Sequence, residues 1–225
     1  MRGVRRLGVG LSGGADSLAL LDALAALDLG VELVPVHVHQ HAGQKPERLK
    51  EYVHEHLGLH THVFEADTSV VAQAAIAGGK APCRVCAPIR AERLGKAART
   101  LNLDALALGH HLDDAAATLL MNIFHRGEAD TMRPVARRRA HRELPLLRPL
   151  LFTTERNVKA AAPTGPGGLF DCGMCSLHAV ERARAASFVA DTFGRHEPTP
   201  HYVADLVEAL AHGRPESPHG RRKRQ

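Results

Sequence analysis

The chain has 225 residues, 44% of them hydrophobic and 24% charged, and a formal net charge of +5; this balance fits one large folded domain, with or without a small appendage, and excludes wholesale disorder. Six Phe, two Tyr and no Trp exclude a broad aromatic platform for stacking bases, so nucleic-acid contact would lean on arginine and phosphate. No run of about 18 apolar residues occurs, so no membrane span is expected.

The opening MRGVRRLGVGLSGGA reads as strand and turn rather than a leader, because its short apolar part runs straight into Asp16 and Asp22. In chain order, 6–11 predicts a buried strand, and Leu18, Leu21, Leu24 and Ala25 recur at helical spacing behind it. The β-branched run 31–38 predicts a second strand, 45–58 a helix stopped by glycine, 61–66 a third strand, and 68–77 a helix. PIRAERLGKAARTL (88–101) predicts a helix opening on proline, followed by a fourth strand at 104–109 and a helix at 113–125. Such alternation implies an α/β fold, a parallel sheet flanked by helices with ligands beyond the carboxyl ends of its strands. After residue 130 come two short extended segments around an arginine-rich turn, then a loop at 162–168, helices near 176–190 and 201–212, and a polar tail expected to be disordered. The expected division is a catalytic unit over 1–194 and a C-terminal helix with basic tail over 195–225.

Three features carry chemistry. SGGADS (12–17) stands between the first strand and its helix. Glycines let the backbone approach a ligand, and successive amides with a helix N-terminus form an anion seat. Ser12 and Ser17 can donate to phosphate oxygens, whereas Asp16 would repel them unless a cation, naturally Mg²⁺, stood between. The bland alternative is a capped strand-to-helix turn. Past the fourth strand, GHHLDD brings Gly109, His110, His111, Asp113 and Asp114 to the next helix start; the aspartates suit either helix capping or Mg²⁺. Asn122, among apolar residues, reads as a satisfied polar group. Finally, all four cysteines form CxxC pairs, Cys83/Cys86 and Cys172/Cys175. Structural zinc and an iron–sulfur cluster both suit thiolates, and a disulfide is disfavoured in a chain that looks cytosolic.

SGGADS is similar to the SGGxDS pyrophosphate loop of the PP-loop (N-type) ATP pyrophosphatases, which cleave ATP to AMP and pyrophosphate while adenylating a substrate. GHHLDDAAATLLMNIF (109–124) and RPLLFTTERNV (148–158) resemble further signatures of the branch that makes 2-thiocytidine in tRNA (TtcA-type synthetases), a relative of the tRNA lysidine synthetases. The resemblance implies an adenine nucleotide alpha hydrolase-like, Rossmann-like PP-loop fold and ATP-dependent tRNA thiolation in the cytoplasm. It implies pyrophosphate cradled by Ser12, Gly13, Gly14 and Ser17, with Mg²⁺ near Asp16 and Asp113 or Asp114. His37, Gly109 and His110 join the nucleotide site by position at strand ends, and His37, His39 and His110 are the candidate bases. It also implies a [4Fe–4S] cluster on Cys83, Cys86 and Cys172, leaving one iron open to sulfide and Cys175 as a reserve ligand or spectator. Asp16 and those three cysteines form the expected catalytic set. Expected partners are tRNA and a sulfur donor, either a cysteine desulfurase or inorganic sulfide, with room for a homodimer.

Arg133, Arg137, Arg138, Arg139, Arg142 and Arg148, with Arg84, Arg90 and Arg93 around the first cysteine pair, read either as a solvated charge run or as phosphate-backbone contacts. Two rival functions stay open. One is a PP-loop sulfurtransferase or desulfidase with another acceptor, such as 2-thiouridine or a small molecule. The other is a zinc-stapled, non-catalytic RNA-binding protein.

Overall fold

A computed structural model of the chain describes residues 3–40, 44–137, 144–165, 168–169 and 180–193. The elements run β1 (Arg6–Leu11), α1 (Ala15–Ala26), β2 (Glu32–His39), α2 (Pro46–Leu57), β3 (His62–Glu65), α3 (Ser69–Ala77), α4 (Cys83–Thr100) and β4 (Ala105–Leu108). They continue as α5 (Leu112–Arg126), β5 (Val135–Arg137), β6 (Pro145–Leu147), α6 (Glu155–Ala161) and α7 (Val180–Phe193). The six strands form one sheet in the order β3-β2-β1-β4-β6-β5. All neighbours pair in parallel except β5 with β6. The fold is therefore the α/β class expected from the alternation of elements.

Residue alternation in β1 explains the layering. Leu7, Val9 and Leu11 point to one face, where they pack with Leu18, Leu21 and Leu24 of α1 and Leu49 and Val53 of α2. Gly8 and Gly10 point to the other, and side chains from the β4 region fill the room they leave: a Cβ on Gly8 would meet Leu103 Cδ1 at 2.4 Å, and one on Gly10 would meet Leu108 Cδ2 at 2.7 Å. That second face is closed by Leu94, Ala97 and Ala98 of α4 against Val34, Val36 and Val38 of β2. Burying both faces of a parallel sheet requires this near-continuous apolar run. Pro35 has no N–H for a ladder, and it precedes Val36–His39, the part of β2 paired with β3.

Two elements differ from the sequence expectation. The helix expected to open on Pro88 starts five residues earlier, at Cys83, with Pro82 as its N-cap and Pro88 inside it. Pro88 lacks the N–H that would bond the carbonyl of Arg84, a loss confined to the helix's first turns. A short helix, α6, occupies 155–161, where no element was expected; Thr154 caps it by accepting the Asn157 N–H, and only Val158 of it is buried. The two extended segments around the arginine-rich turn are β5 and β6.

Strand direction sorts the arginines. Because β6 is parallel to β4, the chain enters it at the amino edge of the sheet, and antiparallel β5 ends at that same edge, with Arg137 level with Pro145. Arg133 precedes β5 and Arg148 follows β6 at the carboxyl edge, where Arg148 N–H bonds the carbonyl of Pro134. No described helix is long and apolar enough to cross a membrane. Cys172, Cys175, Arg138, Arg139, Arg142, the helix expected at 201–212 and the basic tail lie outside the described residues.

Candidate functional site

The chain moves outward from β1 to β2 and β3, then returns to place β4 on the other side of β1. This reversal opens a crevice at the carboxyl ends of β1 and β4, the usual ligand position in open α/β sheets. The loop after β1 and the loop after β4 line it, and they touch: a Cβ on Gly109 would lie 2.9 Å from the carbonyl oxygen of Asp16 and 3.2 Å from Cα of Ser17. Glycine at 109 is what lets the end of β4 reach the first turn of α1.

The loop after β1 is knit from within. Gly13 takes φ +88°, a left-handed conformation suited to glycine. Buried Ser17 donates its hydroxyl to the carbonyl of Gly14 at 2.9 Å and accepts the Ser12 N–H at 3.2 Å. The Gly14 N–H donates to Ser12 Oγ, also at 3.2 Å. Gly14 is the N-cap of α1 and makes no side-chain cap, so the first amides of that helix face the crevice end without a capping side chain.

Asp16 stands in an acidic group. Burial pushes its carboxyl above the usual range; His111 opposes that shift, Glu155 and Asp114 add to it, and Lys159 again opposes it. Its Oδ1 is buried and finds no hydrogen-bond partner among the described residues. His111 Nε2 lies 3.8 Å from Asp16 Oδ2 and 3.6 Å from Asp114 Oδ2. His111 itself caps α5: its Nδ1 accepts the Asp114 N–H, and Asp114 Oδ2 accepts the His111 N–H, a reciprocal capping box. The two aspartates thus divide. Asp114 belongs to the cap beside Asp16, while Asp113 Oδ2 accepts the Glu155 N–H at 2.7 Å and ties α6 to α5. Lys159, paired with Glu155, is held above its usual pKa by that hydrogen bond, with burial opposing and the charges of Glu155, Asp16 and Asp113 assisting. Among the described residues no three His, Cys, Asp or Glu side chains are arranged to hold a metal. A Mg²⁺ ion here would take one or two carboxylates and complete its shell with phosphate and water, its ordinary habit beside nucleotides. The buried, unpartnered Asp16 Oδ1 fits that role.

His37 has no exposed surface, and its Nδ1–H donates to the carbonyl of Leu11 at 2.8 Å, so it supports the loop from behind. Burial holds its pKa below the usual range, with the Leu11 bond opposing. His39 instead bonds Glu65 at 2.9 Å, and His110 is half-buried at the turn after β4. Asn122 donates to the carbonyl of Asp130, a satisfied polar group as its setting suggests.

The first cysteine pair lies in the opening turn of α4, which begins at Cys83; the side chain of Cys83 is outside the described residues. Cys86 is buried and free. Its carbonyl accepts from Gln40 Nε2 at 3.3 Å. Gln40 follows β2, so this places the start of α4 over the carboxyl edge of the sheet. Buried Gln40 is a hub: its N–H donates to Gln44, and its carbonyl accepts from both the hydroxyl and the N–H of Thr68. Arg84 and Arg90 are exposed on that helix, and Arg133 is exposed at the same edge. Arg148 is buried, donating to the carbonyl of Arg133, and Arg137 is at the far edge. The arginines that sequence spacing groups together are therefore divided between two poles.

A last contact comes from the loop before the second cysteine pair. Leu169 N–H donates to the carbonyl of Gly13 at 2.8 Å. Gly168, at φ +66°, is so close to the β1 loop that a Cβ there would meet Ala15 N at 2.5 Å and Gly13 O and Gly14 C at 2.7 Å. Sequence reasoning passed over Gln40, Lys159, Gly168 and Leu169; only the double glycine in PTGPGG carried any signal.

A family model for the PP-loop domain matches residues 2–165. The chain is 34% identical over 175 residues to the tRNA-cytidine(32) 2-sulfurtransferase of Psychromonas ingrahamii, covering 76% of this chain and 56% of that protein. It is 31% identical over 210 residues to the protein of that name from Stenotrophomonas maltophilia, covering 91% and 67%. A third, from an Anaeromyxobacter species, is 31% identical over 212 residues, covering 92% and 72%. The chain thus spans between a little over half and three quarters of the length of these relatives. The U34-tRNA thiolase NcsA from Methanococcus maripaludis, solved with its [4Fe-4S] cluster, shares the fold, with a TM-score of 0.71 at 19% identity over 94% of this chain and 74% of that one.

Proposed function

Because the chain belongs to the PP-loop family, we propose that it is an ATP-dependent tRNA sulfurtransferase of the 2-thiocytidine type, like the relatives it matches. The observation that carries the reading is the Leu169 N–H bond to Gly13. It ties the chain three residues before Cys172 to the loop that would hold pyrophosphate. Three peptide units span at most about 11 Å, the length of the tether that this reading gives Cys172. Cys86 approaches the same edge of the sheet from α4.

In this reading the base oxygen attacks the α-phosphorus of ATP and pyrophosphate departs, leaving the base as an O-adenylate. Sulfide then attacks the activated carbon, and AMP leaves with the oxygen, so no net oxidation or reduction occurs. Amides of the β1 loop, with Ser12 and Ser17, bind the departing pyrophosphate. Asp16, helped by Asp114, holds Mg²⁺ against the phosphates, while Asp113 keeps α6 and Lys159 in place behind them. Cys83, Cys86 and Cys172 suit an iron–sulfur cluster by donor chemistry; the cluster, when bound, supplies an iron open to sulfide. Arg84, Arg90 and Arg133 meet RNA phosphates at this edge, a contribution that weakens with salt.

The test is anaerobic reconstitution with iron and sulfide, then incubation with unmodified tRNA, Mg–ATP and sulfide, followed by mass spectrometry of the nucleosides. The expected product is 2-thiocytidine, formed only with ATP and lost in Cys86→Ser and Cys172→Ser. A colourless protein holding stoichiometric zinc and forming no thionucleoside overturns the reading.

A further inference from the structure

We propose that the strap of chain at Gly168–Leu169 sets the anion-binding conformation of the β1 loop, making these two residues positioning residues for the nucleotide's phosphates. The inference rests on the ATP-binding part of the reading above and on none of its sulfur chemistry.

The geometry is specific. A trans peptide points its C=O and N–H in opposite directions. The Gly13 carbonyl is turned outward and held by the Leu169 N–H at 2.8 Å. The Gly14 N–H of the same peptide therefore points inward, where it now meets Ser12 Oγ at 3.2 Å. Held in that direction, the amide can exchange the Ser12 hydroxyl for a phosphate oxygen once one arrives. Without the strap nothing else described holds the Gly13 carbonyl, and a glycine at φ +88° is the kind of residue whose flanking peptides turn easily. Gly168 secures the next peptide as well. It lies against Gly14 C and Ala15 N, at distances that leave no room for a methyl group. Two consecutive peptides of the loop are thus fixed from outside by two consecutive residues. Leu169 also packs against the core on the α1 side of the sheet, which anchors the strap.

The same loop provides a matched control. Gly165 also has a positive φ, of +75°, yet a Cβ there would meet nothing within 4 Å. Both Gly165→Ala and Gly168→Ala carry the backbone cost of a side chain in that region; only the second displaces the strap from the β1 loop.

The experiment is calorimetric titration of Mg–ATP into the full chain and both variants, with melting temperatures measured alongside. Gly168→Ala should weaken Mg–ATP binding about 10- to 100-fold, the range for losing one charge-assisted hydrogen bond, while Gly165→Ala binds within about twofold of the parent. Hydrogen exchange at the Leu169 amide in the unsubstituted protein is a second measurement that needs no variant. It should be protected without nucleotide and more protected with Mg–ATP, because coupling between the two is reciprocal. An unprotected Leu169 amide, or equal Mg–ATP affinity in the two variants, overturns the proposal. Failure of the unsubstituted protein to bind Mg–ATP overturns instead the ATP-binding reading on which it stands.

Discussion

Gly109→Ala probes the joint between the loops after β1 and β4. The added Cβ would lie 2.9 Å from the carbonyl oxygen of Asp16, 3.0 Å from its carbonyl carbon and 3.2 Å from Cα of Ser17, where ordinary contact begins near 3.4 Å. All three atoms are backbone, so none can swing aside as a side-chain end would, and the first turn of α1 or the end of β4 must move by about 0.5 Å. Such overpacking costs about 1–3 kcal/mol, or a fall in Tm of about 2–12 °C for a chain of this size. A displacement of about 0.5 Å is also the tolerance within which a binding constellation keeps its geometry, so Mg–ATP affinity should fall with stability. Gly8→Ala is the comparison. Its Cβ would meet Leu103 Cδ1 at 2.4 Å and Leu106 Cδ1 at 3.0 Å, both ends of flexible side chains, and Gly8 stands three residues before the crevice end of β1. Thermal unfolding and calorimetric titration should show Gly8→Ala losing stability alone and Gly109→Ala losing stability and affinity together. Parent-like Tm and Kd in Gly109→Ala, or an equal loss of affinity in both variants, would refute the reasoning.

Two further outcomes follow from buried ionisable groups. Since burial raises the Asp16 pKa, the folded state binds a proton more readily than the unfolded chain, and stability falls as pH rises from the unfolded value near 3.8 through the folded one. Asp16→Asn should therefore raise the Tm of the nucleotide-free protein at pH 7, a gain absent below pH 3.8, while weakening Mg–ATP binding; a lower Tm at pH 7 would contradict this. His37→Ala removes a fully buried side chain and leaves the Leu11 carbonyl without its donor, at a cost of about 2–4 kcal/mol at pH 8. The folded pKa of His37 is depressed, so the parent loses its contribution as pH falls below the unfolded value near 6.5, and the gap between parent and variant in denaturant titrations should narrow toward pH 5.5. A gap that stays constant or widens would count against it.

The sheet's first half was legible because apolar runs and glycine stops coincide with strand and helix ends: β1 is found at 6–11 as expected. SGGADS was legible as a strand-to-helix loop because neighbouring residues make it, with Gly13 at φ +88° between β1 and α1. What was hidden depends on contacts between distant segments. Pro88 looked like a helix start because proline favours that position, yet Pro82 begins the helix and Pro88 is tolerated in its early turns. Sequence reasoning assigns capping only to the aspartates of GHHLDD, yet the side chain of His111 is the N-cap of α5. Gln40 carries no signal at all, since a buried hub is defined by Gln44, Thr68 and Cys86 arriving from three other segments. α6 has seven residues and buries only Val158, too little periodicity to register.

The division of the arginines decides which of them border the crevice. Arg84, Arg90 and Arg133 stand near the crevice rim, and Arg137 stands at the opposite end of β5, four residues and at most about 14 Å of extended chain from Arg133. Basic residues that crowd one stretch of sequence thus serve two ends of the sheet, and a ligand seated in the crevice has only the rim set beside it.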